Sequence, residues 1–255
     1  MANGPYWDEA AMMGDVKLPD ILALGDSWFW YPFNNLLIPI WDLWAGGKTI
    51  LAQGMVGAEA TELASGKWLK SFRSALKGYD TIRGVLLSAG GNDFAGMDDM
   101  QRIFKTDCSA AATGEDCFNT QATLQLMFHD VADAYGTLLE EVKKHRPEAL
   151  VFLHNYDYAV PTGLGVLGFG HWLKAPMDAV GVPINVQPLA VDYLIDIFNN
   201  ALAQVQKDYP DHVLIVDSRG TLTEADWANE LHPTPAGFNK LVESAWQPVL
   251  LGNLL

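Results

Sequence analysis

Five runs of strand length, nearly continuous in apolar residues and rich in β-branched side chains, alternate along this chain with longer segments of helical periodicity. They cover residues 20–26, 48–54, 81–90, 149–156 and 212–218. A strand apolar on both sides must be covered on both faces, and helical crossovers between successive strands make them parallel. The pattern predicts a parallel sheet between two helical layers, a three-layer α/β/α sandwich. The clearest helix spans 120–145, with Leu124, Phe128, Val131, Tyr135, Leu138 and Val142 at spacings of three and four, Asn119 as its N-cap and Pro147 just past its end. Further helices are expected over 58–76, 189–207 and 235–250.

Two stretches break the alternation. Residues 93–118 follow the third strand, and the Gly- and Pro-rich residues 159–188 follow the fourth. Both leave C-terminal strand ends, where doubly wound sheets bind their ligands, so they are expected to wall a substrate pocket. Residues 1–19 read as an N-terminal extension. No repeat, low-complexity tail or linker divides 1–255, so a single domain is expected.

With 49% hydrophobic residues among 255, the chain can bury a large core. Its 16 basic and 31 acidic residues give a net charge of −15, which repels phosphate backbones and anionic lipid and argues against nucleic acid as a partner. No run approaches 18 apolar residues, and the acidic first 19 residues lack a signal-peptide pattern. These features predict a soluble chain with no integral membrane segment, either cytoplasmic or a secreted mature form.

Four polar motifs carry the chemistry. Gly25-Asp26-Ser27 ends the first strand, Gly54 to Gly57 follow the second, Gly90-Gly91-Asn92-Asp93 end the third, and His232-Pro233 lies near the C-terminus. Each has a bland reading alone: Ser27 as an N-cap, Gly57 as a tight turn, Asn92 as a turn residue, His232 as a structural imidazole. Together, in this order, they suit a nucleophile, two oxyanion donors and a general base. Gly-x-Ser-x-Gly, Gly-x-Gly-x-x-Gly, the Walker loop and His-Glu-x-x-His are all absent, so α/β-hydrolase, dinucleotide, nucleoside triphosphate and zincin readings have no anchor.

The combination resembles the SGNH hydrolases, the GDSL esterase/lipase family, whose four blocks carry Ser, Gly, Asn and His in this order. The match runs over about 20–250 of this sequence. It implies a flavodoxin-like fold with five parallel strands and Ser27 as nucleophile with His232 as base. It also implies an oxyanion hole made of the Ser27 and Gly57 backbone N–H groups and the Asn92 side chain. One position departs from the family: three residues before the His, where Asp is usual, stands Asn229. An amide orients an imidazole without stabilising its cation, so Asp226 is taken as the third member, with Glu230 or a Ser27–His232 dyad as alternatives.

Among other polar residues, His154, Tyr156 and Asp157 read as a polar strand end, Asp217 and Arg219 as locks on the loop carrying His232, and Trp41, Trp44, Trp68, Trp172, Trp227 and Trp246 as core. Cys108 and Cys117, nine residues apart in a loop of small polar residues, fit a disulfide as well as two free thiols. The function implied is a serine esterase acting on a small-molecule carboxylic ester without metal or cofactor. The alternatives are a carbohydrate O-deacetylase and a non-catalytic ligand- or carbohydrate-binding protein on the same fold.

Overall fold

The computed structural model describes residues 4–31, 34–166 and 172–254. Five parallel strands, β1 (Ile21–Gly25), β2 (Ile50–Gly54), β3 (Gly84–Ser88), β4 (Leu150–His154) and β5 (Val213–Val216), pair in the order β2-β1-β3-β4-β5. Every residue of β1, β2 and β3 is buried, as continuous apolar runs require. Eleven helices are described: α1 (Glu9–Gly14), α2 (Ser27–Trp30), α3 (Leu37–Asp42), α4 (Ala60–Leu63), α5 (Gly66–Gly78), α6 (Met97–Ile103), α7 (Gln121–His145), α8 (Lys174–Ala179), α9 (Gln187–Asp208), α10 (Pro235–Leu241) and α11 (Gln247–Asn253). Helices α5, α7 and α9 lie side by side, while α3, α10 and α11 meet around the π-turn Val242–Trp246. The sheet between these groups makes a three-layer α/β/α fold, with Trp246 fully buried.

The apolar stripe predicted for α7 is buried at all six positions. Its N-cap is Thr120 rather than Asn119, because the Thr120 hydroxyl accepts from Thr123 N. One expected helix is broken and one is modified. The span 58–76 divides at Ser65 into α4 and α5, whereas 235–250 stays helical throughout and widens into the π-turn just before Pro248, which has no N–H to donate.

Strand order reverses at β1, which has β2 on one side and β3 on the other, so the crevice opens at their C-terminal ends. In register, Gly25 faces Gly54 on one side and Ser88 on the other. Gly54 has φ +120°, and a Cβ there would lie 2.0 Å from Gly25 O. This close backbone approach sets the exit of β1, immediately before Ser27.

The segments after β3 and β4 touch through Cys108 N donating to Val180 O at 2.7 Å. Cys108 and Cys117 are free, buried thiols rather than a disulfide. The Cys108 thiol lies 3.3 Å from Cys117 O, and burial pushes the Cys117 thiol up to about 12. Among the described residues, no helix is long and apolar enough to cross a membrane.

Gly54→Ala combines backbone strain with overpacking and is expected to cost on the order of 3 kcal/mol. Gly220→Ala, where φ is +71° but nothing lies within 4 Å of the new methyl, should cost about 1 kcal/mol. Urea unfolding of both variants checks the difference, and equal losses would contradict the close-approach account.

Candidate active site

Asp26 closes β1 and caps α2, its Oδ1 accepting from Trp28 N at 2.9 Å. Ser27 therefore begins a helix at the mouth of the crevice, with only 6% of its surface exposed. The aromatic residues behind it fix this turn in three directions. Trp28 Nε1 donates to Leu231 O at 2.9 Å, Trp30 Nε1 donates to Gln53 O at 3.0 Å, and Tyr31 lies flat on the His232 ring with centroids 4.1 Å apart and planes within 3°.

His232 reaches Ser27 from the far end of the chain. Its Nε2 is 2.8 Å from Ser27 Oγ, and its Nδ1 is 3.0 Å from Asn229 Oδ1. The same Oδ1 accepts from the backbone N–H groups of Leu231 and His232, both at 3.0 Å. Backbone N–H groups only donate, so this atom is the amide oxygen, an acceptor, and Nδ1 must carry a proton and donate it to that oxygen. Nε2 is left with a lone pair aimed at the Ser27 hydroxyl. Burial holds the imidazole pKa down at about 4.

The structure gives the place beside the imidazole to Asn229, and Asp226 points elsewhere. The Asp226 carboxylate accepts from Thr223 N and Oγ1 at 2.8 Å and from Lys240 Nζ at 2.9 Å; chiefly through Lys240, it is held down at about 2. Its backbone carbonyl accepts from Thr234 N, closing the turn under the His232 loop. Glu230 is also engaged, accepting from the backbone N–H groups of Gly163, Trp172, Leu173 and Lys174 at 2.8–3.2 Å. Those contacts bind the long segment after β4 to the His232 loop.

On the other side of the crevice, Asn92 Nδ2 donates to Ala58 O at 3.0 Å, and Asp93 accepts from Ala60 N at 2.9 Å. Burial pushes the Asp93 carboxyl up to about 7. These two contacts draw the turn after β2, with Gly57 at φ +78°, toward the end of β3. The N–H groups of Ser27 and Gly57 have no hydrogen-bond partner among the described residues. Unpaired N–H groups at a turn are suited to an anion.

Beneath Ser27 lies a network where the sequence pattern predicts only a polar strand end. Asp26, Ser88 and His154 are essentially solvent-free, with Ser88 Oγ 2.8 Å from Asp26 Oδ1 and 2.9 Å from His154 Nε2. Tyr156 OH donates to Asp26 Oδ2 at 2.5 Å. Burial raises the Asp26 carboxyl to about 6 and lowers His154 to about 4. Asp217 and Arg219 do not hold the His232 loop; Arg219 pairs with Asp217 and with Asp196 of α9.

A slot of about 40 Å³ opens beside Ser27 and Asn92, walled by Phe94, Leu173, Val191, Leu194, Ile195 and Trp227. Two tryptophans read as core thus belong to the site: Trp227 lines the slot, and Trp172 packs edge-on to His232 at 6.4 Å. Both segments expected to wall the pocket contribute, through Phe94 and Leu173.

No family model and no curated protein matches the sequence. Solved structures do match. A GDSL-like lipase from Parabacteroides merdae aligns over 89% of this chain and 94% of its own, with a TM-score of 0.53 at 14% identity. This chain has the SGNH hydrolase fold. An extracellular lipase from Streptomyces rimosus shares it over 92% and 99% of the two chains, with a TM-score of 0.55 at 16% identity. So does a carbohydrate acetylesterase from Sinorhizobium meliloti, over 92% and 99%, with a TM-score of 0.56 at 12% identity. Ser27 and Asn92 line the slot, His232 contacts Ser27, and the turn after β2 meets Asn92 through Ala58 O.

The environment of His232 yields a titration test. Burial without a neighbouring carboxylate disfavours the imidazolium, so NMR of the His232 ring should show it neutral at pH 5 and protonated only near 4. Asn229→Asp supplies an anion at Nδ1 and should move that midpoint upward toward neutrality. A wild-type midpoint near 6.5, or no movement in the variant, would contradict this account.

Proposed function

We propose that the protein is a serine esterase that cleaves carboxylic esters through an acyl-enzyme. The observation that carries the reading is the 2.8 Å contact between Ser27 Oγ and the unprotonated Nε2 of a buried imidazole whose tautomer is fixed by Asn229. In this mechanism Ser27 Oγ attacks the ester carbonyl as Nε2 takes its proton. The developing oxyanion is met by the N–H groups of Ser27 and Gly57 and by the Asn92 amide. Collapse expels the alcohol, which takes the proton from His232, and water then repeats the sequence to release the acid.

The slot beside Ser27 sets the acyl group. A water occupies about 10–15 Å³ on this measure, so about 40 Å³ corresponds to three or so waters. That space suits a short acyl chain of a few carbons in apolar surroundings, with longer chains requiring the α9 side chains Val191 and Leu194 to move. Lipase and carbohydrate acetylesterase are both represented among the structural neighbours, and a short acyl group is compatible with either kind of alcohol. A small neutral ester also suits a surface with a charge of −15 better than a phosphate-bearing polymer.

Ser27→Ala should remain folded, lose fluorophosphonate labelling and lose ester hydrolysis by several orders of magnitude. Turnover near the wild-type rate would refute the assignment. On p-nitrophenyl esters from acetate to palmitate, kcat/KM should peak among the short chains; a maximum at palmitate would refute the slot argument while leaving Ser27 in place.

Asn92→Ala removes one oxyanion donor and should lower kcat about 10²–10³-fold with little change in KM. A change confined to KM would make Asn92 a substrate-binding residue instead.

A further inference from the structure

Tyr156, at the exit of β4, has its hydroxyl wedged between the two sides of the crevice. It donates to Asp26 Oδ2 at 2.5 Å and accepts from Gly91 N at 3.1 Å. Asp26 caps the helix that begins with Ser27, while Gly91 precedes Asn92. Gly91 is itself fitted to this contact, since a Cβ there would stand 2.8 Å from Tyr156 Cζ and 3.1 Å from its hydroxyl. The ring cannot swing away, because Trp28 meets it edge-on at 5.0 Å and Phe198 stacks on it at 5.7 Å. We propose that Tyr156 is a positioning residue that sets the separation between the Ser27 N–H and the Asn92 amide, holding the oxyanion donors at the spacing the tetrahedral intermediate needs.

The proposal rests on the esterase reading for its kinetic consequence and on geometry alone for the clamp. Oxyanion donors act only over a narrow range of distance, and a misplacement of about 1 Å can cost on the order of 10²-fold. Hydrogen bonds from elsewhere hold each side separately: Trp28 N on Asp26, and Ala58 O on Asn92. Among the described residues, the Tyr156 hydroxyl is the one group that bonds to both Asp26 and Gly91. Removing that oxygen leaves the β1–β3 pairing and the two Asp26–Ser88 contacts in place, and frees the turn beyond Ser88, from Gly91 to Asn92, to shift against Ser27.

Tyr156→Phe keeps the ring and its packing. With p-nitrophenyl butyrate, kcat should fall about 10–100-fold while KM stays within about twofold. The loss should combine less than multiplicatively with that of Asp26→Asn, because both variants cut the same hydrogen bond. Tyr158→Phe, which removes a hydroxyl bonded to Asp196 instead, should leave kcat unchanged. Amide hydrogen exchange, read on the same proteins, should speed up at Gly91 and Trp28 in Tyr156→Phe and remain native-like in Tyr158→Phe. An unchanged kcat, a rise in KM alone, or fully multiplicative losses would overturn the positioning role while leaving the esterase reading intact. Failure of the wild type to hydrolyse any ester would overturn that reading, and the exchange rates would then decide the clamp by themselves. Unaltered protection at Gly91 would end it.

Discussion

Asp26 is a carboxylate buried under the candidate nucleophile with no cation in contact among the described residues, and the geometry of the site descends from how that group is satisfied. A charge in such a place is costly unless hydrogen bonds replace its water. Three reach it, from Trp28 N, Ser88 Oγ and Tyr156 OH, each from a different strand exit. The proton count is informative. His154 Nδ1 faces Asn155 O at 2.9 Å and must donate to it, which leaves Nε2 an acceptor in the neutral ring. Ser88 then stands between two acceptors with a single hydroxyl proton. Every contact in the chain is a hydrogen bond only when the Asp26–Ser88–His154 set holds one further proton. Burial raises Asp26 to about 6, so that proton enters on the carboxyl only below about pH 6; above it the carboxyl is ionised and accepts the Ser88 hydroxyl proton.

The same economy of anions recurs around the crevice. Asp157 accepts from the N–H groups of Tyr158, Gly220 and Leu222, and Glu230 accepts from four N–H groups of the segment after β4. Asp93 accepts from Ala60, and Asp20 from Thr49. Loops leaving a parallel sheet expose backbone donors that a neighbouring strand no longer satisfies, and a carboxylate can take several of them. This use accounts for part of the acidic excess without a metal or a basic ligand.

The legible parts of this protein were those written locally. Continuous apolar runs gave the strands because a buried parallel strand has no polar face, and the spacing from Leu124 to Val142 gave α7. Ser27, Asn92 and His232 stood out because each follows a recognisable break in pattern. Helix ends were less legible, since Ser65 interrupts a periodic stretch that looks continuous and the π-turn before Pro248 leaves no mark on the periodicity. Partners distant in sequence were not legible. Nothing local says that Tyr31 will stack on His232 or that Trp172 and Trp227 will leave the core for the site. Asp226 was favoured because a carboxylate is the usual partner, whereas Lys240, fourteen residues on, turns it away from the imidazole.

Asn229 in place of the usual acid changes what the imidazole can do. A carboxylate fixes the tautomer and stabilises the cation that forms when Nε2 accepts a proton; an amide oxygen does only the first. Here three donors converge on that oxygen, so orientation is secured as firmly as a carboxylate would secure it. Charge must come from elsewhere, and the nearest source is the phenol face of Tyr31, parallel to the ring at 4.1 Å. An aromatic face within about 6 Å attracts a cation by roughly 0.5–2 kcal/mol, more when the pair is dry. In the proposed mechanism that attraction is absent from the neutral ring and grows as Nε2 takes the Ser27 proton, so it would act on the step where the missing carboxylate would have acted. The exchange of a charged partner for an amide and an aromatic face leaves an imidazole that stays neutral to lower pH. A protonated form would be held by the quadrupole of the Tyr31 ring rather than by an ion pair.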